Sequence, residues 1–446
     1  MSSLATVILA AGEGTRMKSA LPKVLHKLGG VPMLAHVLRT AKTLGPERIV
    51  TVIGPGMDAV AACAKQEAPE GHIVTQQTRE GTGHAVRQAV PHLEGFSGIV
   101  LVLYGDTPLL SEATLRTLTQ RLEKNPAADI ALLAMKPENP GEYGRLLIHA
   151  EGTVKRIIEY RDADEEQRAL PWCNSGVMAI RSETLFTLLP ELTNQNAKKE
   201  YYLTDLVGLA TSLGKTTLAV DADATELLGV NSRAELAALE THIQQRLRLQ
   251  WLENGAMLLA PDTVFLSASA THGRDVLIHP FAVIGENVHL GDNVEIKSYS
   301  HLENCRVEKG GIVGPYARLR PGAHVGENAH VGNFVEIKNA TLAKGAKANH
   351  LTYIGDAVVG EGSNIGAGTI TCNYDGVSKH KTEIGANVFI GSDTCLVAPV
   401  SVGDGAIVGA GSVITENVPP NAIAVTRAKQ EHGEGKAEGY WKKRRK

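Results

Sequence analysis

The sequence predicts two unlike halves in one chain: an α/β domain built on a mostly parallel sheet, and a parallel β-helix made of hexapeptide repeats. Three observations carry that reading. Aliphatic residues recur at every sixth position through the second half, short apolar runs alternate with helical patterns through the first, and one long helical stretch separates them. The 446 residues allow roughly two to four domains. The expected division is residues 1–228, a linker helix over 229–250, and 251–446 with a basic tail.

The repeat is expected from about Leu277 to Ile414. Ile278, Ile284, Leu290, Ile296 and Leu302 are in register, as are Val313, Leu319, Val325, Val331 and Ile337, and again Ile384, Ile390, Leu396, Val402, Val408 and Ile414. If Leu, Ile and Val fill about one position in four of an ordinary chain, five in a row arise roughly once in a thousand trials. Three such runs are therefore a pattern. Each hexapeptide makes a short strand and a turn, and its aliphatic residue points inward onto its equivalents in neighbouring coils. Glycine often follows that residue, as at Gly285, Gly291, Gly326, Gly332, Gly385, Gly391, Gly403 and Gly409, where it is expected to permit the turn conformation.

The register is lost between Ile337 and Ile384. That interval holds Lys338, His350, Tyr353, Asn364 and the segment Thr371–Lys381 with Asn373-Tyr374-Asp375. An excursion from a stacked coil sacrifices packing, so this interval is expected to carry chemistry. His350 is one of sixteen histidines; its company of Lys338, Tyr353 and Asn373 singles it out as a candidate base.

In the first half, Val7–Ala10, Ile49–Ile53, Ile73–Thr75 and Ile99–Leu103 read as buried strands, while Leu34–Leu44, Met57–Lys65 and Gly83–Ala89 read as helices. That alternation implies an α/β fold, whose ligands bind outside the carboxyl ends of the strands. Both Gly12–Thr15 and Asp106 follow apolar strands. In the loop Leu9-Ala10-Ala11-Gly12-Glu13-Gly14-Thr15-Arg16-Met17, two glycines let backbone N–H groups close on phosphate oxygens, and Arg16 and Lys23 supply positive charge. The loop is neither a Walker A motif nor the dinucleotide fingerprint. Gln76, Gly81-Thr82-Gly83 and Tyr104-Gly105-Asp106 follow, and Asp106 beside a triphosphate loop is a candidate Mg²⁺ ligand because hard cations favour oxygen. Between the halves, Ser232 and Glu235 form a capping box, and Leu236, Leu239, Ile243 and Leu247 predict a helix ending near Asn254-Gly255.

Composition narrows the function. A formal net charge of −3 gives no overall field for nucleic acid or an anionic membrane. Five scattered cysteines form no C-x-x-C pair, so no zinc or disulfide framework is expected. The start of the chain lacks a signal-peptide pattern and no apolar run reaches membrane-spanning length; a cytoplasmic location is the expectation.

These motifs together resemble the bacterial bifunctional N-acetylglucosamine-1-phosphate uridyltransferase/glucosamine-1-phosphate acetyltransferase family, over essentially the whole chain to about Lys429. The loop Leu9–Met17 with Pro22-Lys23 is common to many sugar nucleotidyltransferases. Glu200-Tyr201-Tyr202 and Gly229-Val230-Asn231 are narrower, and Arg318–Gly322, His350–Tyr353 and Gly366–Asp375 narrower still. The resemblance implies a Rossmann-like nucleotidyltransferase domain, a connector helix and a left-handed β-helix, assembled as a homotrimer.

By that resemblance Leu9, Ala10, Ala11, Gly12, Gly14, Gln76, Gly81, Thr82, Tyr104 and Gly105 would line the nucleotide and sugar site. Lys23 and Arg16 would stabilise phosphate charge, Asp106 and Asn231 would bind Mg²⁺, and Gly144, Glu159 and Asn174 would hold the sugar. The substrates would be UTP and N-acetylglucosamine 1-phosphate. In the second site, glucosamine 1-phosphate would be acetylated from acetyl-CoA. An ammonium cannot attack a thioester, so a base that titrates near neutrality is needed, and His350 fits. Arg320 and Lys338 would bind the sugar phosphate, Tyr353 and Asn364 the sugar. Asn373 and Tyr374 would orient the reacting groups; Ala367, Ser392, Ala410 and Arg427 would contact acetyl-CoA. One departure from the family's pattern is Asn349, where the resemblance leads us to expect glycine.

Two rival readings remain at this level. One is a nucleotidyltransferase whose β-helix only regulates or trimerises, against which His350 with Asn373-Tyr374 argues. The other is a non-catalytic scaffold, against which Lys23, Asp106 and Asn231 argue. The basic end Lys442–Lys446 reads as a solvated, disordered tail or as a weak anion contact.

Overall fold

The computed structural model describes residues 2–444, which form two compact units divided between Gln244 and Gln245. Among the described residues no helix is long and apolar enough to cross a membrane.

In the first unit the sheet runs in the order Thr216–Asp221, Ala128–Met135, Cys173–Arg181, Ile99–Tyr104, Leu4–Ala10, Arg48–Ile53, His72–Thr75. Every pairing along this path is parallel except those of Cys173–Arg181, which runs against both neighbours. The hairpin Arg145–Ile148 and Val154–Ile158 hangs from Cys173. The central strand explains its own apolar run: Val7 and Leu9 join one core and Ile8 and Ala10 the other, so both faces are covered. Because the central strands are parallel, their carboxyl ends share one edge. The reversed strand presents its beginning there, which brings Asn174 to the same edge as Ala10 and Tyr104.

The helix Arg233–Glu253 begins after the expected Ser232 cap and stops at the expected Asn254-Gly255, so it starts four residues later and ends three residues later than the 229–250 bounds. Its start differs in one bond. Ser232 Oγ accepts from Glu235 N–H at 3.2 Å, but the Glu235 carboxylate turns to the N–H of Asn231 at 2.7 Å rather than to Ser232. The box is displaced by one residue and pins Asn231. The end is a Schellman turn: Ala256 N–H donates to Trp251 O and Gly255 N–H to Leu252 O, with Gly255 at φ +92.

The second unit stacks three parallel sheets of ten, nine and eight short strands, the left-handed β-helix expected of its repeats. It starts before the first periodic residues, at Met257–Leu258, and runs to Ile423–Ala424. Trp251 begins this unit's core, with its ring 4.4 Å from that of His272.

Two expectations need correction. First, the register is not lost from Ile337 to Ile384. The inward column continues through Leu342, Ala348, Ile354, Val359 and Ile365, all buried, paired coil to coil. The apparent failure is two five-residue faces, Ile337 to Leu342 and Ile354 to Val359, which shift the phase without breaking the stack. A five-residue face at Val307 hides the continuity between Leu302 and Val313 in the same way. The one true excursion follows Thr371. A six-residue step would land on Val377, which is 89% exposed, whereas the next inward residue is Ile384.

Second, the glycines after the inward residues are not turn devices. None of the eight has a positive φ. At seven of them a Cβ would meet the backbone of the next coil at 2.0–2.7 Å, so glycine is needed for close approach of the coils. The left-handed corners are held elsewhere, by asparagines, aspartates and other glycines such as Gly310, Gly345, Gly362 and Gly405, and, in one column, by Phe281, Tyr299, Tyr316, Phe334 and Leu351 at φ 49–62. The four aromatic rings of that column stack at 4.9–5.1 Å and stay exposed.

Beyond the coils, Lys436–Arg444 is a fully exposed helix rather than irregular chain. The remainder of the basic end, Arg445 and Lys446, lies outside the described residues.

Candidate active sites

In the first unit the loop after Leu4–Ala10 turns at Gly14, which has φ +68 and lies so close to Lys23 that a Cβ would meet the lysine Cβ at 2.4 Å. Glycine at this position is what lets the loop and Lys23 touch. Gly12, by contrast, has nothing within 4 Å of its Cβ position, leaving open space beside the loop's N–H groups. The Lys23 ammonium then binds the Asp106 carboxylate and donates to Asn231 Oδ1 at 3.2 Å. Three residues far apart in sequence thus meet at one point. Backbone pairing enforces it, since Val230 N–H donates to Asp106 O at 3.0 Å. Arg233 Nε holds the far end of the loop through Met17 O at 3.1 Å.

Across the loop, Arg79 was not singled out by the sequence, yet its Nε donates to Ala11 O at 2.8 Å and its guanidinium pairs with Glu13. A lone arginine three residues before the helix Thr82–Ala89 carries no pattern that would have flagged it. Gln76 is buried and donates to Gly81 O at 3.0 Å. Gly81, at φ +104, has no room for a side chain against Tyr201 O at 2.6 Å. Thr82 Oγ1 accepts from Leu203 N–H at 3.0 Å, so the segment Glu200–Tyr202 packs on the Gly81 turn.

Further along the edge, Gly144 O accepts from Asn174 N–H at 2.8 Å, joining two expected sugar residues. Asn174 is 6% exposed and its side-chain oxygen has no partner among the described residues. Burial pushes the Glu159 carboxyl above its ordinary range, although Thr204 donates to it at 2.9 Å. Tyr104 closes over Gly176, where a Cβ would meet its ring at 2.7 Å, and burial pushes its phenol upward as well. Arg16 is not drawn into the Lys23 cluster: it stays exposed, 4.0 Å from Glu142.

Asp106 and Asn231 offer a carboxylate and an amide oxygen to a shared point, a set suited to a hard cation. Among the described residues there is no group of three or more His, Cys, Asp or Glu side chains that could hold a metal ion. A cation here would take the rest of its shell from water and phosphate oxygens.

In the second unit the coil itself aligns the candidates. Arg320 and Lys338 each follow the inward residue of a paired rung, Leu319 and Ile337, so they stack one coil apart, with Gly355 next. Strand spacing puts successive rungs ~4.8 Å apart. Arg320 donates to Glu336 at 2.8 Å. The excursion returns Lys379 to this group. Close approach of the Lys379 side chain and its charge hold Lys338 below the ordinary lysine range; two cationic groups side by side favour an anion between them. Sequence reading missed Lys379, because only the folded hairpin, with Tyr374 bridged to Lys379, brings it back. Within that hairpin Asp375 accepts from Val377 and Ser378 N–H and from His380 at 2.7 Å. Asn373 is buried and donates to Asp356, which also accepts from Asn339 at 2.6 Å. Burial alone would raise Asp356, but these bonds and the charges of Lys379 and Lys338 outweigh it and lower its pKa. The Tyr353 hydroxyl lies over Gly355, 2.3 Å from where a Cβ would stand.

His350 occupies a corner column that recurs two residues after each inward residue of the first sheet: Asn333, His350, Ala367, Ser392 and Ala410. Asn333 pairs with His350 in adjacent coils, and its Oδ1 lies 2.7 Å from His350 Nδ1. Asn333 is a second residue that sequence reading missed; the coil-to-coil step of seventeen residues is the signal that would have found it. With the amide oxygen as the contact, Nδ1 carries the proton and Nε2 is left as the base. Higher in the column, Asp393 N–H donates to Ala367 O and Gly411 N–H to Ser392 O, and Arg427 donates to Ala410 O at 2.7 Å. The four residues expected around acetyl-CoA thus lie along one corner. Asn364 does not join Arg320 and Lys338: it pairs with Lys347 and Phe389 on the first sheet, a different face of the coil.

Residues 6–198 match the MobA-like NTP transferase domain family. Residues 269–304 match the bacterial transferase hexapeptide repeat, and 381–416 the hexapeptide repeat of succinyl-transferase. Full-length relatives join the two. The chain is 55% identical over 441 residues to the Bifunctional protein GlmU of Paramagnetospirillum magneticum, covering 98% of this chain and 97% of that one. It is 53% identical to the protein of the same name from Paracoccus denitrificans, over 96% and 94% of the two chains, and 52% identical to that of Ruegeria sp., over 98% and 96%. Identity of this degree, sustained from the phosphate loop through the coils, makes the chain a member of the bifunctional GlmU family.

Proposed function

We propose that the chain is a bifunctional enzyme of UDP-N-acetylglucosamine synthesis, acetylating glucosamine 1-phosphate from acetyl-CoA and then joining the product to UTP with release of pyrophosphate. The observation that carries this reading is the presence of both residue sets in one chain that matches bifunctional relatives from end to end.

For uridylyl transfer, a phosphate oxygen of N-acetylglucosamine 1-phosphate attacks the α-phosphorus of UTP. A new P–O bond forms as the bond to the departing pyrophosphate breaks. Loop N–H groups around Gly12 and Gly14 and the Lys23 ammonium hold the phosphates, and Arg16, free to swing, meets the leaving charge. Asn174, with its unpartnered oxygen, and Gly144 and Glu159 hold the sugar. Asp106 and Asn231 fit Mg²⁺, which when bound would offset charge on the phosphates. Lys23, which touches both, keeps those two oxygens together.

For acetyl transfer, His350 Nε2 takes a proton from the substrate ammonium. The freed amine attacks the thioester carbonyl, a C–N bond forms, and the C–S bond breaks to release CoA, which recovers a proton. Asn333 fixes the tautomer of the base. Arg320, Lys338 and Lys379 hold the sugar phosphate, while Ala367, Ser392, Ala410 and Arg427 line the path of acetyl-CoA.

A homotrimer agrees with two features. The stacked column Phe281, Tyr299, Tyr316 and Phe334 exposes aromatic surface in left-handed backbone that such residues rarely adopt. Asn364 lies on a face away from Arg320 and Lys338, so another copy would be needed to bring it to them.

One assay tests the whole reading: glucosamine 1-phosphate, acetyl-CoA, UTP and Mg²⁺ together should yield UDP-N-acetylglucosamine. Omitting acetyl-CoA should stop the reaction before acetylation, and omitting UTP or Mg²⁺ should leave N-acetylglucosamine 1-phosphate to accumulate.

A further inference from the structure

Gln76 follows the strand His72–Thr75, and its N–H donates to Ile53 O at 2.8 Å. Ile53 pairs in turn with Ala10, so Gln76 stands on the carboxyl edge of the sheet two strands, ~10 Å, from the phosphate loop. Its carboxamide makes two contacts through one atom, with Gly81 O at 3.0 Å and with Nδ1 of His84 at 3.2 Å. A carbonyl oxygen can only accept, so that atom is the NH2 group and both of its hydrogens are taken. His84 Nδ1 must then present its lone pair, which leaves the ring proton on Nε2. The Gln88 amide lies 3.0 Å from that Nε2. A neutral imidazole cannot accept at both nitrogens, so one of the two glutamines turns an oxygen to it. Gln76 is held by Gly81 O, whereas Gln88 has otherwise only a 3.3 Å contact with His84 O, so Gln88 is the one that turns. The Gln76 amide thus has one group left for a ligand. This is Oε1, which has no partner among the described residues and is not sealed from solvent.

We infer that His84 is a positioning residue for nucleobase selection. By holding the second hydrogen of the Gln76 NH2 group, it keeps Oε1 turned outward, so the site takes a base that carries a ring N–H, as uracil does at N3. This rests on the reading of Gln76 as a nucleotide contact given above. Cytosine has a bare lone pair at the same ring position, and two acceptors that face each other cannot bond. A base reaching along the edge from phosphates held at Gly12 and Gly14 would arrive at Gln76. The imidazole is carried on a fixed turn: it belongs to the first turn of the helix Thr82–Ala89, and Gly83 N–H, one residue earlier, donates to Tyr201 O at 2.8 Å. Without the His84 acceptor, one amide hydrogen is released and the carboxamide is free to swing an N–H toward the lone pair of cytosine.

The test uses the full chain and compares UTP with CTP in nucleotidyl transfer. In His84→Ala the ratio of kcat/KM for UTP over that for CTP should fall about tenfold, the effect of one neutral hydrogen bond. His84→Asn places an amide oxygen near the position of Nδ1 and should keep most of the selectivity. A general loss of fold or of phosphate binding would lower both nucleotides alike and leave the ratio where it was. Acetyl transfer, measured on the same preparations, reports that the chain is intact. An unchanged ratio in His84→Ala, or an equal fall in His84→Ala and His84→Asn, would overturn the assignment. Gln76→Ala in parallel separates the two levels. If it keeps the selectivity for UTP, the reading of Gln76 falls and that of His84 with it; if it loses the selectivity while His84→Ala does not, only the role of His84 falls.

Discussion

The two candidate sites are assembled in opposite ways. In the first unit, Lys23, Asp106 and Asn231 come from three distant segments and meet because parallel strands end on one edge and a backbone bond ties Val230 to Asp106. In the second, Arg320 and Lys338, or Asn333 and His350, are the same position in successive coils. The first site is a convergence of loops and the second is a repetition of rungs. Convergence makes each residue irreplaceable by its neighbours. Repetition lets a residue be added or changed without moving the frame, as Asn349, standing where glycine is expected, illustrates.

The largest expected effect tests whether the sites are independent. We predict that Asp106→Ala lowers uridylyl transfer by about three orders of magnitude and leaves acetyl transfer untouched; loss of both in separate assays would break the comparison. His350→Ala should do the converse, lowering acetyl transfer by about 10²–10⁴-fold with uridylyl transfer intact.

Gly14→Ala probes convergence without touching a charged group. With φ +68 and Lys23 Cβ at 2.4 Å, it should cost about 1–3 kcal/mol and reduce uridylyl transfer through displacement of Lys23. The same change at Gly12, which has open space, should leave the melting temperature unaltered, so the two denaturation curves are the check. Asn333→Ala probes repetition: losing the tautomer-fixing bond should lower acetyl transfer about tenfold and change its pH profile, whereas Asn333→Asp should retain more activity. Equal activity of Asn333→Ala and the unaltered protein would remove Asn333 from the site.

The smallest effect concerns the wall behind Glu159. Burial, with the charges of Glu159 and Asp162, pushes Asp205 up to about 6. A raised carboxyl contributes stability that is complete below the unfolded value near 3.8 and is lost as pH rises through about 6. Asp205 is only partly buried, so the full shift is discounted for solvent screening to about 1 kcal/mol. Asp205→Asn should therefore melt a few degrees higher at pH 8, with the gain vanishing near pH 4; a gain that persists at pH 4 would locate the effect elsewhere.

Legibility followed the same division. The six-residue period exposed the coil because each inward residue sees the same environment, and the strand-loop-strand pattern exposed Gly14, Lys23 and Asp106 because they follow apolar runs. Arg79 and Lys379 were hidden, since each acts through a return of the chain that no local pattern records. The break after Ile337 was misread because a five-residue face shifts the phase of a period while the stack above it stays in place.

By itself the sequence determined most of the inward residues of the coils outside the stretch from Ile337 to Ile384, where the phosphate loop begins, and which chemistry each half carries. These depend on periodicity and on side-chain type, which are local. Only the tertiary structure decided that the Glu235 carboxylate pins Asn231 rather than Ser232, that the glycines after the inward residues serve coil contact rather than turns, and that Asn333 fixes His350. Those facts depend on which backbone lies within van der Waals reach of which, and that distance is set by the fold as a whole.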